Sequence, residues 1–301
     1  MHCMLPGPTR RTERKERKID EGIFLHGSVQ RGNGGKNATV EREGRFEAPN
    51  WHRDGFLVYN QDGLIRTYHV ETGEHGCIDT GSADHCNNDH VLSADGKYLA
   101  ISHSEETDWH SRVYILPITG GEPRKVTDMG PSYLHGWSPD GETLCYCADR
   151  NGNYDVYTIS AQGGEETRLT DAPGLDDGPE YSPCGEYIWF NSVRTGLMQA
   201  FRMKKDGTEQ TRMTFHEDKN SWFPHISPDG EKVVYIAYRK GDVAPGDHPA
   251  DKHVELRLMD ANGENDRLLT PLFGGQGTIN VNSWAPDSKR FAFVSYRIEE
   301  W

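Results

Sequence analysis

The sequence predicts an all-β fold, a six-bladed β-propeller with four antiparallel strands in each blade and a last blade closed by N-terminal strands. Three observations predict it: a short turn with the pattern Ser-Pro-Asp-Gly or a close variant recurs, the recurrences are regularly spaced, and an alternating apolar strand follows nearly every one of them. The turn occupies residues 52–55, 93–96, 138–141, 182–185, 227–230 and 285–288. Six turns predict six structural units.

Each unit carries the marks of four short strands. The turn leads into an alternating apolar strand, such as 187–190, and a further strand follows, clearest at 154–159. A Gly-rich hairpin at 162–164 then leads to a short strand that ends at 170. The spacing of roughly 44 residues per unit is typical of propeller blades, and an insertion at 240–253 lengthens the last interval.

The two ends of the chain are expected to share one blade. The last unit stops after two strands near Tyr296, whereas strand-like stretches at 22–29 and 37–43 precede the first turn without a unit of their own. We expect these stretches to complete the sixth blade, because closing the ring hides the sheet edges. The propeller is therefore predicted to span residues 22–301, after a basic and disordered tail at 1–21.

Composition and charge limit the partners. A formal charge of −14 disfavours nucleic acid, because phosphate backbones attract basic surfaces. No stretch has the length of a transmembrane helix, and no apolar run of a signal peptide follows the basic start. We therefore expect no membrane partner and, by default, a cytoplasmic location, with a periplasmic or secreted one open if the start is not native. Six cysteines without metal-site spacing are expected to be reduced, and the oligomeric state does not follow from the sequence.

The repeat resembles a known family. Trp137-Ser138-Pro139-Asp140-Gly141, the stretch 155–157 and Arg168-Leu169-Thr170 resemble the repeat of the TolB C-terminal propeller and its relatives, and the likeness covers residues 22–298. The resemblance implies the fold. It implies a function less directly, because similar propellers serve protein docking, peptidase gating and polysaccharide lyases.

The residues just before each turn are unusually polar and lie in the strand predicted to line the central channel. Asp89, Asp177 and Glu180 are candidate catalytic residues, together with His90. Two carboxylates that flank a sugar can act as acid and base, or as acid and nucleophile. The alternative is an acidic turn at the rim, in which Glu180 pairs with an arginine such as Arg194.

Three histidines at similar offsets from their turns are candidate metal ligands: His90, His135 and His225. If the register holds they converge on one channel mouth, and imidazoles hold zinc, manganese or iron in proteins. The resemblance adds that oligogalacturonate lyases are similar propellers that bind a metal with channel histidines. A divalent ion (Mn, Ca or Zn) is thus a candidate cofactor. The alternative is that these histidines bond backbone groups around a water-filled channel.

Five further residues are candidate substrate contacts: Asn88, Tyr133, Trp222, Asn282 and, in the insertion, His248. Aromatic rings suit stacking on sugar faces, although they also suit packing between blades. The insertion is predicted to join the second and third strands of the fifth unit at one mouth of the channel. Long loops of this kind often bind ligands.

Two functions from different classes follow. The first is a carbohydrate-active enzyme, a glycoside hydrolase or a lyase, with an oligosaccharide or another small polar ligand in the channel mouth. The second is a non-catalytic scaffold that docks a partner protein, as TolB does. A catalytic pocket keeps histidines and carboxylates within a few ångströms of each other, whereas a docking face spreads them over a broad rim.

Overall fold

The computed structural model describes residues 19–27, 38–43 and 45–298, with side chains described from 45 to 296. Within those ranges the chain forms five four-stranded antiparallel sheets and one three-stranded sheet. Apart from one turn of 3-10 helix at Gln276–Thr278, the described residues contain no helix. The all-β propeller with four-stranded blades is confirmed. Five of the sheets have four strands each, whereas the sequence predicted six four-stranded blades.

The five four-stranded blades follow each other along the chain. Blade 1 contains β3 (Glu47–Trp51), β4 (Phe56–Gln61), β5 (Leu64–His69) and β6 (His75–Cys77); blade 2 contains β7 (Cys86–Leu92), β8 (Tyr98–Ser104), β9 (Ser111–Pro117) and β10 (Arg124–Lys125). Blade 3 contains β11 (Ser132–Trp137), β12 (Thr143–Asp149), β13 (Tyr154–Ser160) and β14 (Thr167–Arg168). Blade 4 contains β15 (Asp176–Tyr181), β16 (Tyr187–Ser192), β17 (Gln199–Lys204) and β18 (Thr211–Arg212); blade 5 contains β19 (Lys219–Ile226), β20 (Lys232–Arg239), β21 (Lys252–Asp260) and β22 (Arg267–Gly274).

The three-stranded sheet joins the two ends of the chain. Its strands are β1 (Ile19–Gly27), β2 (Ala38–Glu43) and β23 (Arg290–Ile298), in the order β2-β1-β23. The N-terminal strand β1 pairs along its whole length with the C-terminal strand β23, as expected. On the other edge of β23 a single bridge links Trp284 to Phe291, so no fourth strand is named there. The predicted tail at 1–21 falls mostly outside the described residues and stays a prediction.

Local hydrogen bonds explain the repeated turn. At residues 138–141, Ser138 Oγ donates to Asp140 Oδ1 at 2.5 Å and accepts from the backbone N–H of Thr143 at 2.9 Å. Gly141 closes the turn at φ +77°, a left-handed conformation that glycine adopts without strain. In the last turn Ser288 takes the same conformation at φ +57°. The motif therefore encodes a tight hairpin between the first and second strands of each blade.

The core lies between adjacent blades. Facing sheets bury apolar side chains against each other, as Tyr146 and Tyr157 of blade 3 do with Ile115 of blade 2. Trp51 and Trp284, which each precede one of the repeated turns, are buried, and Trp137 is half-buried. Among the described residues no helix is long and apolar enough to cross a membrane, and the predicted cellular location stays a prediction.

The first strand of each of the five blades contains an irregularity. The pairing register shifts within β3, β7, β11, β15 and β19. In three of them a residue of positive φ precedes a proline: Ala48 at +56°, Gly178 at +59° and Phe223 at +55°. Proline lacks an N–H and suits such a bulge, where ladder bonds are missing anyway. These bulges decide which side chains face each end of the channel.

Candidate functional site

The propeller has two faces, which we call the loop face and the turn face. The turn face carries the repeated turns. The loop face carries the starts of the first strands and the connections between second and third strands, including residues 240–251 of the insertion. The insertion joins β20 to β21, as predicted.

A cavity of about 440 Å³ opens on the loop face. Successive parts of the ring each contribute one polar side chain to its wall: Asp89 from β7, His135 from β11, Asp177 from β15, His248 from the insertion and Asn280 from the segment that follows the 3-10 helix. The structure thus brings together residues that are far apart in the chain. We call these five residues the mouth cluster.

Short contacts connect the mouth cluster. His135 Nε2 lies 3.3 Å from Asp177 Oδ1 and 3.9 Å from Asp89 Oδ1. His248 Nε2 lies 3.5 Å from the other oxygen of Asp177, and Asn280 Nδ2 donates to Asp89 Oδ1 at 2.7 Å. One carboxylate therefore bridges two imidazoles, and one of these imidazoles bridges two carboxylates.

Burial and neighbouring charges shift the pKa values of Asp89 and Asp177 in opposite directions. Burial raises the pKa of Asp89, and this outweighs the opposing effects of His135 and Asn280. Burial also acts to raise the pKa of Asp177, but hydrogen bonds and charge from His135 and His248 hold it well below its ordinary value. Burial acts to lower the pKa of His135, yet the facing carboxylates raise it. The pKa values of the two carboxylates are therefore shifted in opposite directions.

Aromatic side chains hold the two imidazoles in place. The ring of Phe223 stacks on that of His135 at 6.2 Å between centroids and meets the edge of His248 at 5.3 Å. Trp222 contacts His248 edge to face at 4.3 Å. Phe223 keeps a left-handed backbone, which is costly for a bulky residue. Strain at a residue that supports the cluster is typical of functional sites.

The loop that carries His248 is tied down at its C-terminal end. Tyr238 Oη donates to the carbonyl of Pro249 at 2.9 Å, and Arg45 Nη2 contacts Asp251 Oδ2 at 2.7 Å. Asp251 itself has a positive φ of 59°. The loop therefore presents its histidine to the cavity in a defined position, and the predicted role of the insertion in ligand binding stays a prediction.

Glu180 and His225, two predicted site residues, have a different role. Glu180 accepts hydrogen bonds from His225 Nδ1 at 2.6 Å, from the backbone N–H of Ile226 at 3.1 Å and from Asn282 Nδ2 at 2.6 Å. The other ring nitrogen of His225 contacts the carbonyl of Ile279 at 2.5 Å. These bonds join blade 4, blade 5 and the segment before β23. They form a buried hydrogen-bond network, and Glu180 also lines a second cavity on the turn face.

His90 and Asn88 also lie away from the cavity. His90 is fully buried, its Nε2 lies 3.4 Å from the carbonyl of Val58 in blade 1, and burial lowers its pKa to about 4. Asn88 donates to Glu47 at 3.2 Å, and its Oδ1 accepts from Asn60. Both residues connect blades 1 and 2. The alternative pairing of Glu180 with Arg194 is absent too, because Arg194 contacts Asp176 instead, at 2.7 Å.

The three predicted metal ligands do not form one site. His90 faces Val58, His135 faces two carboxylates, and both nitrogens of His225 have partners. In the part of the chain that the structure describes, no three His, Cys, Asp or Glu side chains are grouped to hold a metal ion. The donor set of these histidines therefore does not fit a shared divalent cation.

The remaining predicted contacts divide between the two faces. Tyr133 lines the loop-face cavity, and burial raises its pKa to about 12. Trp222 is fully buried behind His248. Asn282 lines a second cavity of about 450 Å³ on the turn face, with Trp51, Trp137 and Trp284.

Sequence reasoning did not single out four residues of the loop-face cavity wall: Asn87, Tyr154, Gln276 and Asn280. Asn280 stands seven residues before the third residue of its turn, the same offset as Tyr133 and Asp177. That shared offset marks it as a member of the same ring of side chains. The other three do not share that offset: Asn87 lies in β7, Tyr154 begins β13 and Gln276 begins the 3-10 helix.

Fold and site together define a β-propeller with a polar cavity at one channel mouth. The TolB beta propeller domain family matches residues 91–248, more than half of the chain. An uncharacterized protein of Agrobacterium fabrum is 47% identical over 253 residues, which cover 83% of this chain and 85% of that protein. This chain belongs to the TolB β-propeller family.

Solved structures agree with this assignment. A structure from Agrobacterium tumefaciens, assigned provisionally to TolB, is 43% identical with a TM-score of 0.87, and the match covers 93% of this chain and 99% of that one. TolB from Acinetobacter baumannii shares the fold at 18% identity, with a TM-score of 0.65 over 85% of this chain and 64% of that one. An oligogalacturonate lyase in complex with manganese shares it at 15% identity, with a TM-score of 0.54 over 85% of this chain and 74% of that one.

Proposed function

We propose that this protein is a carbohydrate-active enzyme, a glycoside hydrolase that uses the mouth cluster as its acid and base. The observation that supports it is the arrangement of Asp89 and Asp177 around His135 in a small cavity. Each carboxylate has an oxygen within 4 Å of the same imidazole nitrogen, so the two oxygens lie within about 7 Å of each other. Histidines and carboxylates this close together are the mark of a catalytic pocket rather than of a docking rim.

The roles follow from the directions in which the two pKa values are shifted. Burial raises the pKa of Asp89, so of the two carboxylates it is the one to take up a proton and pass it to the leaving oxygen of a glycosidic bond. Asp177 remains ionised beside His135 and His248, so it is the group to activate water or to stabilise positive charge on the sugar ring. His135 contacts both carboxylates and helps to keep Asp177 ionised. Tyr133 lies in the wall as a ring for the sugar face.

The experiment is a hydrolysis screen with neutral aryl glycosides and oligosaccharides, followed by variants measured on any active substrate. Asp89→Asn and Asp177→Asn are each expected to lower kcat by about 100-fold or more, since general acid or base catalysis contributes that much. Loss of rate at higher pH should follow the deprotonation of Asp89. The matched control is Glu186→Gln, an exposed carboxyl far from the cavity. An active enzyme with unchanged kcat in both aspartate variants would overturn the proposal.

A second candidate is a protein-docking scaffold, and one observation favours it. Three large apolar side chains are exposed on loop-face connections: Trp109, Met129 and Phe215, at 61%, 55% and 68%. Apolar residues on one face are typical of an interaction site. If docking is the function, Trp109→Ser with Phe215→Ser will abolish co-purification of one defined partner from native cells, and Asp89→Asn will not.

We further propose that the three-stranded sheet is a sixth blade that closes the ring. Its strand β23 packs between blades 5 and 1: Phe291 and Phe293 join the core of blade 5, and Ala292 and Val294 join that of blade 1. Residues 283–285 then take the place of its innermost strand, next to the bridge at Trp284.

A further inference from the structure

We infer that the loop-face cavity selects ligands that donate hydrogen bonds and carry no negative charge, and that Asn280 is a specificity-determining residue in it. This inference rests on the proposed function for the location of the ligand, and it adds the chemical class. Sugars with hydroxyl or ammonium groups fit the description. Sugars that carry a carboxylate do not.

The first argument is an acceptor without a donor. The side chain of Asn280 is fully buried and lines the cavity. Its Nδ2 donates to Asp89 Oδ1 at 2.7 Å, and the ionised form of Asp89 can only accept there, so the amide oxygen of Asn280 points away from that carboxylate. Among the described residues its Oδ1 has no hydrogen-bond partner. A buried acceptor left unpaired is unfavourable, so a ligand that donates to it gains affinity.

The second argument is the charge of the cavity wall. Two buried carboxylates, Asp89 and Asp177, face the cavity, and no lysine or arginine within the described residues lines it. His135 is the nearest cationic group, and it is already shared by both carboxylates. A ligand carboxylate placed there meets like charges without a free cation to pair with. The net charge of −14 on the whole chain acts in the same direction.

The two arguments are independent. The unpaired oxygen of Asn280 selects for donors, and the two carboxylates select against anions. A uronate-cleaving lyase needs a positive group to neutralise the substrate carboxylate, and the wall of this cavity offers none that is free. The inferred ligand class therefore separates this chain from the uronate chemistry named in its distant structural neighbour.

The test is binding of three monosaccharides of similar size to the full chain by NMR titration: D-glucose, D-glucosamine and D-galacturonate. The first two are expected to bind at least 10-fold more tightly than galacturonate. If glucosamine binds more tightly than glucose, the cationic form is preferred; equal binding means that the shared hydroxyl donors suffice. Galacturonate binding as tight as glucose would overturn the inference, and so would the absence of saturable binding by all three sugars.

Two variants test the inference, one expected to raise the relative affinity for galacturonate and one expected to weaken the binding of glucose and glucosamine. Asp89→Asn removes a negative charge and keeps the shape, so it is expected to shift the ratio of galacturonate to glucose affinity by at least 10-fold toward galacturonate. Asn280→Leu removes the acceptor and is expected to weaken glucose and glucosamine binding, with circular dichroism and melting as checks of folding. If the sugars bind with this preference but no glycoside is hydrolysed, only the proposed catalytic function fails.

Discussion

Replacing Glu180 by alanine tests the assignment of this residue to structure rather than to catalysis. The substitution removes the acceptor of three hydrogen bonds, from His225, Asn282 and the backbone of Ile226. The three donors come from blade 5 and from the segment before β23, whereas Glu180 lies on β15 of blade 4. The substitution therefore weakens the contacts between blade 4, blade 5 and the segment before β23.

The size of the effect follows from burial. Glu180, His225 and the backbone N–H of Ile226 are each almost inaccessible to solvent. A buried donor left without its acceptor costs about 1–3 kcal/mol, so we take roughly 3–5 kcal/mol for the three donors together. For a chain of this size one kcal/mol lowers Tm by roughly 2 °C, so we expect Glu180→Ala to melt about 6–10 °C lower than the parent.

The assay compares thermal melting and urea unfolding of three proteins. Glu180→Gln keeps the shape and two of the acceptor contacts, and we expect it to lose less than half as much stability as the alanine variant. Glu186→Ala is the matched control in the same blade, because Glu186 is exposed and its carboxylate lies 3.5 Å from Lys205 Nζ, and we expect a change close to zero. A Glu180→Ala protein that melts within about 2 °C of the parent would refute the structural role.

Three further predictions concern other parts of the molecule. His90 has a pKa of about 4 when folded, below the value near 6.5 for an exposed histidine, so the unfolded chain takes up the proton first. Urea unfolding should thus show that the free energy of unfolding falls by about 2–3 kcal/mol between pH 7 and pH 4.5 because of this residue. If this free energy depends on pH equally in His90→Gln and in the parent, the prediction is contradicted. Deleting residues 19–27 exposes the edge of β23, and we expect aggregation or loss of cooperative melting by light scattering and calorimetry; unchanged melting would contradict ring closure. Arg150 holds Glu166 by two bonds of 2.7 Å and the carbonyl of Pro131 at 2.8 Å, and we expect Arg150→Lys to cost about 2 kcal/mol in urea unfolding, against no change for the exposed Lys205→Arg. Equal stability of the Arg150→Lys protein and the parent would contradict the importance of the two bonds between Arg150 and Glu166.

The fold was predictable because its main determinant is local. In each turn the serine and the aspartate bond to backbone groups within five residues, as Ser227 and Asp229 do with residues 231 and 232. Such bonds depend on the sequence of the turn alone. Their recurrence identifies the hairpins, and the hairpins set the order of the strands.

The site was predictable only in part, because bulges change which face a side chain points to. Residues three apart on a regular strand point to opposite faces of the sheet, but the bulge at Gly178 brings Asp177 and Glu180 to the same face, where they line cavities at opposite ends of the channel. The shift in β7 spans one residue more than those in β3, β15 and β19. Counting back from the turn therefore misplaces blade 2, where Asp89 rather than His90 reaches the cavity.

His248 and Asn280 illustrate the other limit. His248 was a candidate because its loop breaks the repeat length, but its contact with Asp177 depends on how the loop folds over the ring. Asn280 has the right offset from its turn but lies outside any named strand. A contact between the last segment and blade 2, 191 residues away in sequence, leaves no trace in local composition.

The bulges also have a consequence for how the protein can change over time. The irregularity divides a first strand into a half that serves the loop face and a half that serves the turn face, and His135, at the irregularity of β11, lines both cavities. A substitution in one half, such as at Asp177, alters the polar cavity without altering the tryptophan-lined cavity at the opposite end, and one at Asn50 does the reverse. The two openings of the channel can thus acquire separate specificities on the same set of strands, while the blades between them stay unchanged.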